Sequence, residues 1–194
     1  MKSTFLTALF FILTTIYAQN KIPNAAWEIK TAVMALPDEH RGEAKVYGYD
    51  SNGGLQVLRE GTNQYICIAD NPKKEGFETA AYHKSLDNFM ARGRELKIQG
   101  KGFKEIFDIR EKEVKSGKLK MPDKTILYVF SGDVNPQTNE IENEYVRYVI
   151  YIPYATVEST GLPASPKAAG HPWIMNPGTH RAHIMITPPL VKKE

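Results

Sequence analysis

The amino-acid sequence predicts an α+β fold, in which a mainly antiparallel sheet is interrupted by two helices in the middle of the chain. Two observations predict this class. Short runs rich in β-branched and aromatic residues lie before residue 79 and after residue 122, whereas helical periodicity is confined to the segment between them. The strand-like runs also do not alternate one by one with helices, as they would in a parallel sheet. We expect a single globular domain over residues 19–194.

The N-terminal residues 1–18 are predicted to form a cleaved secretory signal peptide. Lys2 supplies a positive start, residues 5–16 are almost uninterruptedly apolar, and Ala18 is the small residue that a signal peptidase requires. The apolar run is shorter than the roughly 20 residues that cross a bilayer as a helix. We therefore expect an exported protein, periplasmic or extracellular, without a membrane span after cleavage.

The charge and the cysteine content exclude two classes of protein. The chain has a formal net charge of +3 at pH 7, which gives no electrostatic footprint for nucleic acid. It contains one cysteine, Cys67, so an intramolecular disulfide is impossible. A domain of this length can bury a core without such a staple. No cofactor is expected.

Three strands are predicted in the first third of the chain. Residues 44–49 and 55–59 form a hairpin, because the Asn52-Gly53 pair between them supplies the positive φ that a tight turn demands. Residues 65–68 form the third strand.

Two helices are predicted next. In residues 79–96, apolar side chains recur at spacings of four, seven and eight residues, which places them on one face of a helix: Tyr82, Leu86, Phe89 and Met90. The second helix covers residues 103–116, and Gly117 follows as its stop.

Four further strands are predicted after Pro122. Residues 125–130 and 145–152 have the composition of strands. Residues 172–175 and 182–187 form the final pair, joined by a turn at residues 176–179.

The polar segment 132–144 between the central strands has a partial calcium-loop pattern. Oxygen ligands stand at the first, third, fifth and twelfth places: Asp133, Asn135, Gln137 and Glu144. Thr138 occupies the place that requires glycine, and strands rather than helices flank the segment. An EF-hand is therefore excluded, and a solvated connection is expected.

Three histidines near the C-terminus supply atoms that could bind zinc: His171, His180 and His183. A strand over residues 182–187 would direct His183 and Met185 to one face and leave His180 back in the turn. The favoured interpretation is therefore no metal site, with His171 and His180 in loops or at the rim.

Cys67 is the candidate nucleophile. A catalytic cysteine needs a histidine base, for which His183 or His83 could serve, but no spacing rule connects either one to Cys67. Because Cys67 lies between Ile66 and Ile68, a buried structural thiol is the favoured interpretation.

Two segments carry a resemblance to a known family. Residues 58–67, LREGTNQYIC, and residues 172–186, PWIMNPGTHRAHIMI, resemble the motifs LREG(S/T)N-x-(W/Y)-x-C and PW(I/V)M-x-x-GT-x-x-AH(I/L)M of a family of uncharacterised exported bacterial proteins. The matching positions are Arg59, Glu60, Asn63, Trp173, Gly178, Thr179 and His183, whereas His171 and His180 fall on positions that the pattern leaves open. The resemblance implies a structural role for Cys67, since relatives carry a second cysteine that this chain lacks. It implies no activity.

Two functions remain as hypotheses. The preferred one is binding of a small molecule or a cell-envelope component, with Arg59 receiving an anionic group, Asn63 nearby and Trp173 as a stacking wall. The alternative is a secreted hydrolase, possibly metal-assisted, that uses His183 with Glu60 or Cys67. It requires His183 to be open to solvent and within hydrogen-bond reach of one of them. If Arg59 and Glu60 instead pair with each other in the sheet, both hypotheses lose their best residues.

Overall fold

The computed structural model describes residues 24–190, and the predicted signal peptide lies outside the described residues. The helices are α1 (Ala25–Ala32), α2 (Asp38–Arg41), α3 (Asp87–Ile98), α4 (Phe103–Lys115) and α5 (Val157–Thr160). Short 3-10 turns cover Val33–Ala35 and Lys84–Leu86. The strands are β1 (Lys45–Tyr49), β2 (Leu55–Arg59), β3 (Tyr65–Ile68), β4 (Phe77–His83), β5 (Thr125–Val134), β6 (Ile141–Tyr151), β7 (Trp173–Met175) and β8 (His183–Ile186).

All eight strands form one sheet in the order β2-β1-β3-β4-β5-β6-β8-β7. Every neighbouring pair is antiparallel except β1 and β3, which run parallel. The mixed α and β content and the mainly antiparallel sheet are therefore confirmed. The prediction of two helices omitted α1, α2 and α5.

Strand β4 corrects the predicted helix over residues 79–96. Residues 77–83 pair with β3 on one side and with β5 on the other, so these residues are a central strand and α3 begins only at Asp87. Along β4, Phe77, Thr79 and Ala81 are buried toward the face opposite Tyr82, with the period of two that belongs to a strand.

The polar segment 132–144 is also more ordered than a solvated connection. Strands β5 and β6 extend into it, leaving a short turn at residues 135–140. The Asn135 side chain accepts hydrogen bonds from the Gln137 and Thr138 backbone N–H groups and donates to Glu142 Oε1 at 2.8 Å. The polar side chains therefore hold this turn together.

Each face of the sheet carries a hydrophobic core. On the first face, α1 and the following 3-10 turn cover a cluster that contains Val46, Cys67, Ala81 and Phe130. A Cβ on Gly48 of β1 would lie 2.3 Å from Leu58 Cδ1 of β2 and 2.9 Å from Glu28 Oε1 of α1, so any side chain at this position would displace both of these side chains.

The second face is covered by α3 and α4. Its cluster includes the fully buried Tyr82, Leu86 and Phe89 together with Val149 and Met185. No helix within residues 24–190 combines the length and the apolar character that a bilayer span needs.

Candidate functional site

Polar side chains of the first sequence motif, LREGTN, form hydrogen bonds with the protein's own backbone. Arg59 lies on β2, at one edge of the sheet, and its guanidinium donates to the Ala44 carbonyl at 3.0 and 2.9 Å and also to the Arg41 carbonyl. Asn63 Nδ2 donates to the His40 carbonyl at 2.8 Å. These hydrogen bonds hold the segment before β1 against the end of β2, through Arg59, and against the β2–β3 connection, through Asn63.

Gly61 belongs to the same contact. A Cβ at this position would lie 2.2 Å from the backbone nitrogen of Lys45, so the chain passes too close for any side chain. The neighbouring Glu60 is exposed and forms an ion pair with Lys45 at 3.0 Å rather than with Arg59. The LREGTN stretch thus positions the start of β1, and its polar groups face backbone or solvent.

Cys67 lies in the core of the first face with no exposed surface. Burial raises the pKa of its thiol to about 12, an effect that Arg59 only partly offsets. A thiol with such a pKa is protonated at neutral pH and is not a nucleophile.

His183 lies on β8, where its ring packs against Tyr151 with the ring centroids 5.2 Å apart. Tyr151 belongs to the core of the second face, opposite to the face that holds Cys67, and β4, β5 and β6 lie between β3 and β8. The structure therefore does not bring His183 to Cys67, nor to Glu60 beyond the opposite edge of the sheet. His183 is buried, its Nδ1 lies 2.6 Å from the Arg181 carbonyl, and burial lowers its pKa.

The three C-terminal histidines do not converge. His180 lies in the turn between β7 and β8, as predicted, but it is completely buried between Phe89 and Phe107 rather than at the rim. His171 is exposed and precedes β7 in the chain, whereas His180 follows that strand. Among residues 24–190, no three His, Cys, Asp or Glu side chains lie close enough together to hold a metal ion.

Trp173 lies far from Arg59, because β7 and β2 are the two opposite edges of the sheet. The two residues therefore do not share the cleft that the sequence predicted. Trp173 instead lines a cavity of about 470 Å³, whose wall consists of Tyr145, Pro166, Lys167, Ala168, Ala169, His171, Trp173, Thr187, Pro188, Pro189 and Leu190. Apart from Lys167 and His171 this wall is largely apolar and aromatic. We call it the aromatic cavity.

A second cavity of about 640 Å³ shares Tyr145 and Leu190 with the first. Its other lining residues are Asp70, Lys74, Glu75, Gly76, Phe77, Glu78, Ser131, Gly132, Asp133 and Asn143. Four of these residues are acidic and one is basic, so we call it the acidic cavity.

Most of the carboxylates in the acidic cavity are held in place by protein donors. Asp70 Oδ1 accepts from the Glu78 backbone N–H at 3.0 Å, and Glu78 forms an ion pair with Arg147. Asp133 accepts from the Asn143 side chain at 2.9 Å. Burial raises the pKa of Asp70, so an approaching cation would favour its charged form.

The sequence indicated Trp173 but missed Tyr145 and the acidic cavity. The cavities form where loops at residues 74–76, 166–169 and 188–190 meet the ends of β5 and β6, and such loops carry no periodic signal. Alternation along β6 places Tyr145 on the same face as Val149 and Tyr151. This alternation is the one sequence pattern from which the position of Tyr145 could have been predicted.

No protein-family model, no curated protein and no solved structure matches this chain. The two cavities adjoin at Tyr145 and Leu190, with Trp173 on the wall of one and Asp70 and Asp133 on the wall of the other.

Proposed function

We propose that the protein binds a small organic cation across the two adjoining cavities. The observation that carries this proposal is the position of Tyr145, which borders both cavities and so joins the aromatic wall to the acidic lining. In this arrangement, the apolar or aromatic part of the ligand lies against Trp173 and Tyr145, and its charged group lies among the carboxylates.

The charge of the lining supports a cationic ligand over an anionic one. Of the four carboxylates, Glu78 is already paired with Arg147, and Lys74 is the one lysine among the lining residues of the acidic cavity. An anion placed beside Asp70 and Asp133 would be repelled, whereas an ammonium group would replace its lost hydration with carboxylate contacts. Aromatic side chains add attraction for a cation that reaches their ring faces.

The size of the cavities supports a small molecule. Their volumes of about 470 and 640 Å³ fall within the range of about 300 to 1,000 Å³ typical of small-molecule sites. We further propose that binding takes place outside the cytoplasm, as the predicted signal peptide at residues 1–18 implies, and that the ligand is a free small molecule or part of a cell-envelope component. Arg59 and Asn63 are not part of this proposal, since both are engaged by backbone carbonyls.

The hydrolase hypothesis finds no support in the arrangement of its residues. His183, Glu60 and Cys67 lie on different strands or connections, and each has a different set of neighbours. Binding is therefore the function that the geometry supports.

Tryptophan fluorescence tests the proposal. The chain has two tryptophans, and Trp27 packs against Phe77 from α1 on the first face, so Trp27→Phe leaves Trp173 as the reporter. Tyramine and 4-hydroxyphenylacetate serve as probes, because they share a phenol ring and carry opposite charges. We expect saturable quenching of Trp173 by tyramine and at least a fivefold weaker effect of the anion.

Two variants of β6 provide the matched control. Tyr145→Ala removes the residue that joins the cavities and should weaken tyramine binding at least fivefold, whereas Tyr148→Ala, which removes a tyrosine packed against Tyr128 on the first face, should not. Equal binding of both probes, or an unchanged affinity in Tyr145→Ala, would overturn the proposal.

A further inference from the structure

The turn between α3 and α4 is the most exposed part of the helical layer. Every residue from position 97 to position 105 is exposed, and we call this segment the tip. The tip contributes no lining residue to either cavity. Its properties are therefore independent of the proposed binding function.

The tip presents two large apolar side chains to solvent. Ile98 is 87% exposed and Phe103 is 74% exposed, which makes them the two most exposed large hydrophobic residues of the described chain. Leu96, two residues before Ile98, is buried in contrast and anchors the end of α3. Exposed apolar residues of this size on one small surface are typical of an interaction site.

The backbone of the tip is fixed by hydrogen bonds. The Gly100 N–H donates to the Lys97 carbonyl at 3.0 Å, and the Lys101 N–H donates to the Leu96 carbonyl at 3.0 Å. Gly100 adopts a φ of 79°, a conformation that glycine tolerates best. Ile98 and Phe103 are therefore held out by a structured turn, so little conformational freedom is lost when they are buried.

The tip carries an excess of positive charge. Residues 97–105 contain three lysines, at positions 97, 101 and 104, and one carboxylate, Glu105. The Arg181 guanidinium adds a fourth cation, 5.4 Å from the centre of the Phe103 ring. Lys101 and Lys104 form ion pairs with Glu105 and Asp108, but pairs this exposed are weak and can be exchanged for other anions.

We infer that the tip binds the surface of a lipid bilayer that contains anionic phospholipids. Ile98 and Phe103 enter the boundary between headgroups and acyl chains, and the lysines contact the headgroup phosphates. The combination of exposed apolar side chains and surrounding lysines is the one that such a surface requires. A protein partner is less suited, because a projecting turn with two apolar side chains offers a small area compared with a stable protein interface.

Site-specific fluorescence tests this inference on the full chain. Cys67 has no exposed surface, so in Ile98→Cys a thiol-reactive environment-sensitive dye reports on position 98 alone. We expect a blue shift of its emission with vesicles of phosphatidylcholine and phosphatidylglycerol, and none with phosphatidylcholine alone. Val134→Cys places the same dye at the end of β5, beside the turn that contacts α1 on the first face, and should show no shift with either vesicle.

A charge variant distinguishes headgroup attraction from insertion by apolar residues alone. Replacing the three lysines, Lys97→Gln, Lys101→Gln and Lys104→Gln, should lower the vesicle affinity about fivefold for each lysine. The inference is overturned if the dye at position 98 does not shift with anionic vesicles, if position 134 shifts equally, or if the triple variant binds as tightly as the parent. Far-ultraviolet circular dichroism verifies that each variant is folded.

Discussion

Glu111 on α4 accepts two hydrogen bonds from His180, one from its backbone N–H at 2.8 Å and one from its ring Nδ1. His180 has no exposed surface and lies between Phe89 and Phe107, and Lys115 pairs with the other oxygen of Glu111 at 2.7 Å. The turn between β7 and β8 is thereby fastened to α4.

The protonation state of this pair follows from its surroundings. Burial lowers the pKa of His180, and the neighbouring Arg110 and Arg181 lower it further against the opposing effect of Glu111. Burial by itself would raise the pKa of Glu111, but Lys115 and His180 outweigh it and the net shift is downward. We conclude that a charged Glu111 accepts from a neutral His180 whose proton is on Nδ1.

Replacing Glu111 should destabilise the fold. Glu111→Ala leaves the N–H and the ring Nδ1 of His180 without an acceptor in an apolar site, and we expect the free energy of unfolding to fall by about 3 kcal/mol. Urea denaturation measures it. Asp108→Ala on the same helix removes an exposed carboxylate paired with Lys104, so it should change the free energy by less than about 0.5 kcal/mol. Equal effects of the two variants would contradict the structural role of the pair.

Glu28 should make stability depend on pH. Its side chain is buried between α1, to which it belongs, and the sheet, and it accepts one hydrogen bond from the Tyr49 N–H at 3.1 Å. Burial raises the pKa of Glu28, and the nearby Asp70 raises it further. Since the folded pKa lies above the unfolded one, the stabilising contribution is complete below the unfolded value and is lost as the pH rises through the folded value.

The variant Glu28→Gln cannot ionise and tests this linkage. We expect the stability of Glu28→Gln relative to the parent to increase as the pH is raised from the acidic range to neutrality, in thermal denaturation at a series of pH values. Glu43→Gln, an exposed position, should show a flat difference over the same range. A flat profile for Glu28→Gln as well would show that Glu28 is not desolvated.

Arg59 should act on stability and not on ligand binding. Arg59→Lys keeps the charge but loses the fork that binds the carbonyls of Arg41 and Ala44, so we expect a loss of about 1 to 3 kcal/mol in the free energy of unfolding. The adjacent Glu60→Ala, at an exposed position, should change it by less than about 0.5 kcal/mol. If Arg59→Lys weakened tyramine binding without altering stability, the backbone role would be disproved.

Cys67 should be inert in the folded protein. Because the thiol is buried and its pKa is raised to about 12, reagents such as dithionitrobenzoate should react with it at pH 8 only as fast as the protein unfolds. The rate should increase when urea is added and reach that of a small free thiol in the unfolded chain. Rapid stoichiometric reaction under native conditions would show that the thiol is accessible.

The sequence predicted well those elements whose local pattern and tertiary role agree. Helix α4 was predicted over residues 103–116 and spans Phe103–Lys115, and the hairpin of β1 and β2 has its turn at the Asn52-Gly53 pair. The prediction was wrong at strand β4 for a physical reason. Tyr82 in the strand, Leu86 in the 3-10 turn and Phe89 in α3 all pack in the same core, so their spacing imitates one helix face.

The candidate site was predictable only in part, because the two motifs differ in what they do. The stretch around Trp173 lines a cavity, whereas the stretch around Arg59 binds backbone. The same local sequence, an arginine close to a glycine turn, is compatible with hydrogen bonds to a ligand anion and with hydrogen bonds to a backbone carbonyl. Only the fold, which brings residues 41–44 against β2, decides between these roles.

The position of β8 makes the proposed binding surface depend on the order in which the chain is made. Strand β8 is placed between β6 and β7, and β7 has no other strand partner among the described residues. Trp173 therefore has no sheet to join until residues 183–186 have left the ribosome and paired with β6. A fragment that stops before residue 183 would retain Trp173 in its sequence and lose the strand that holds it against the sheet.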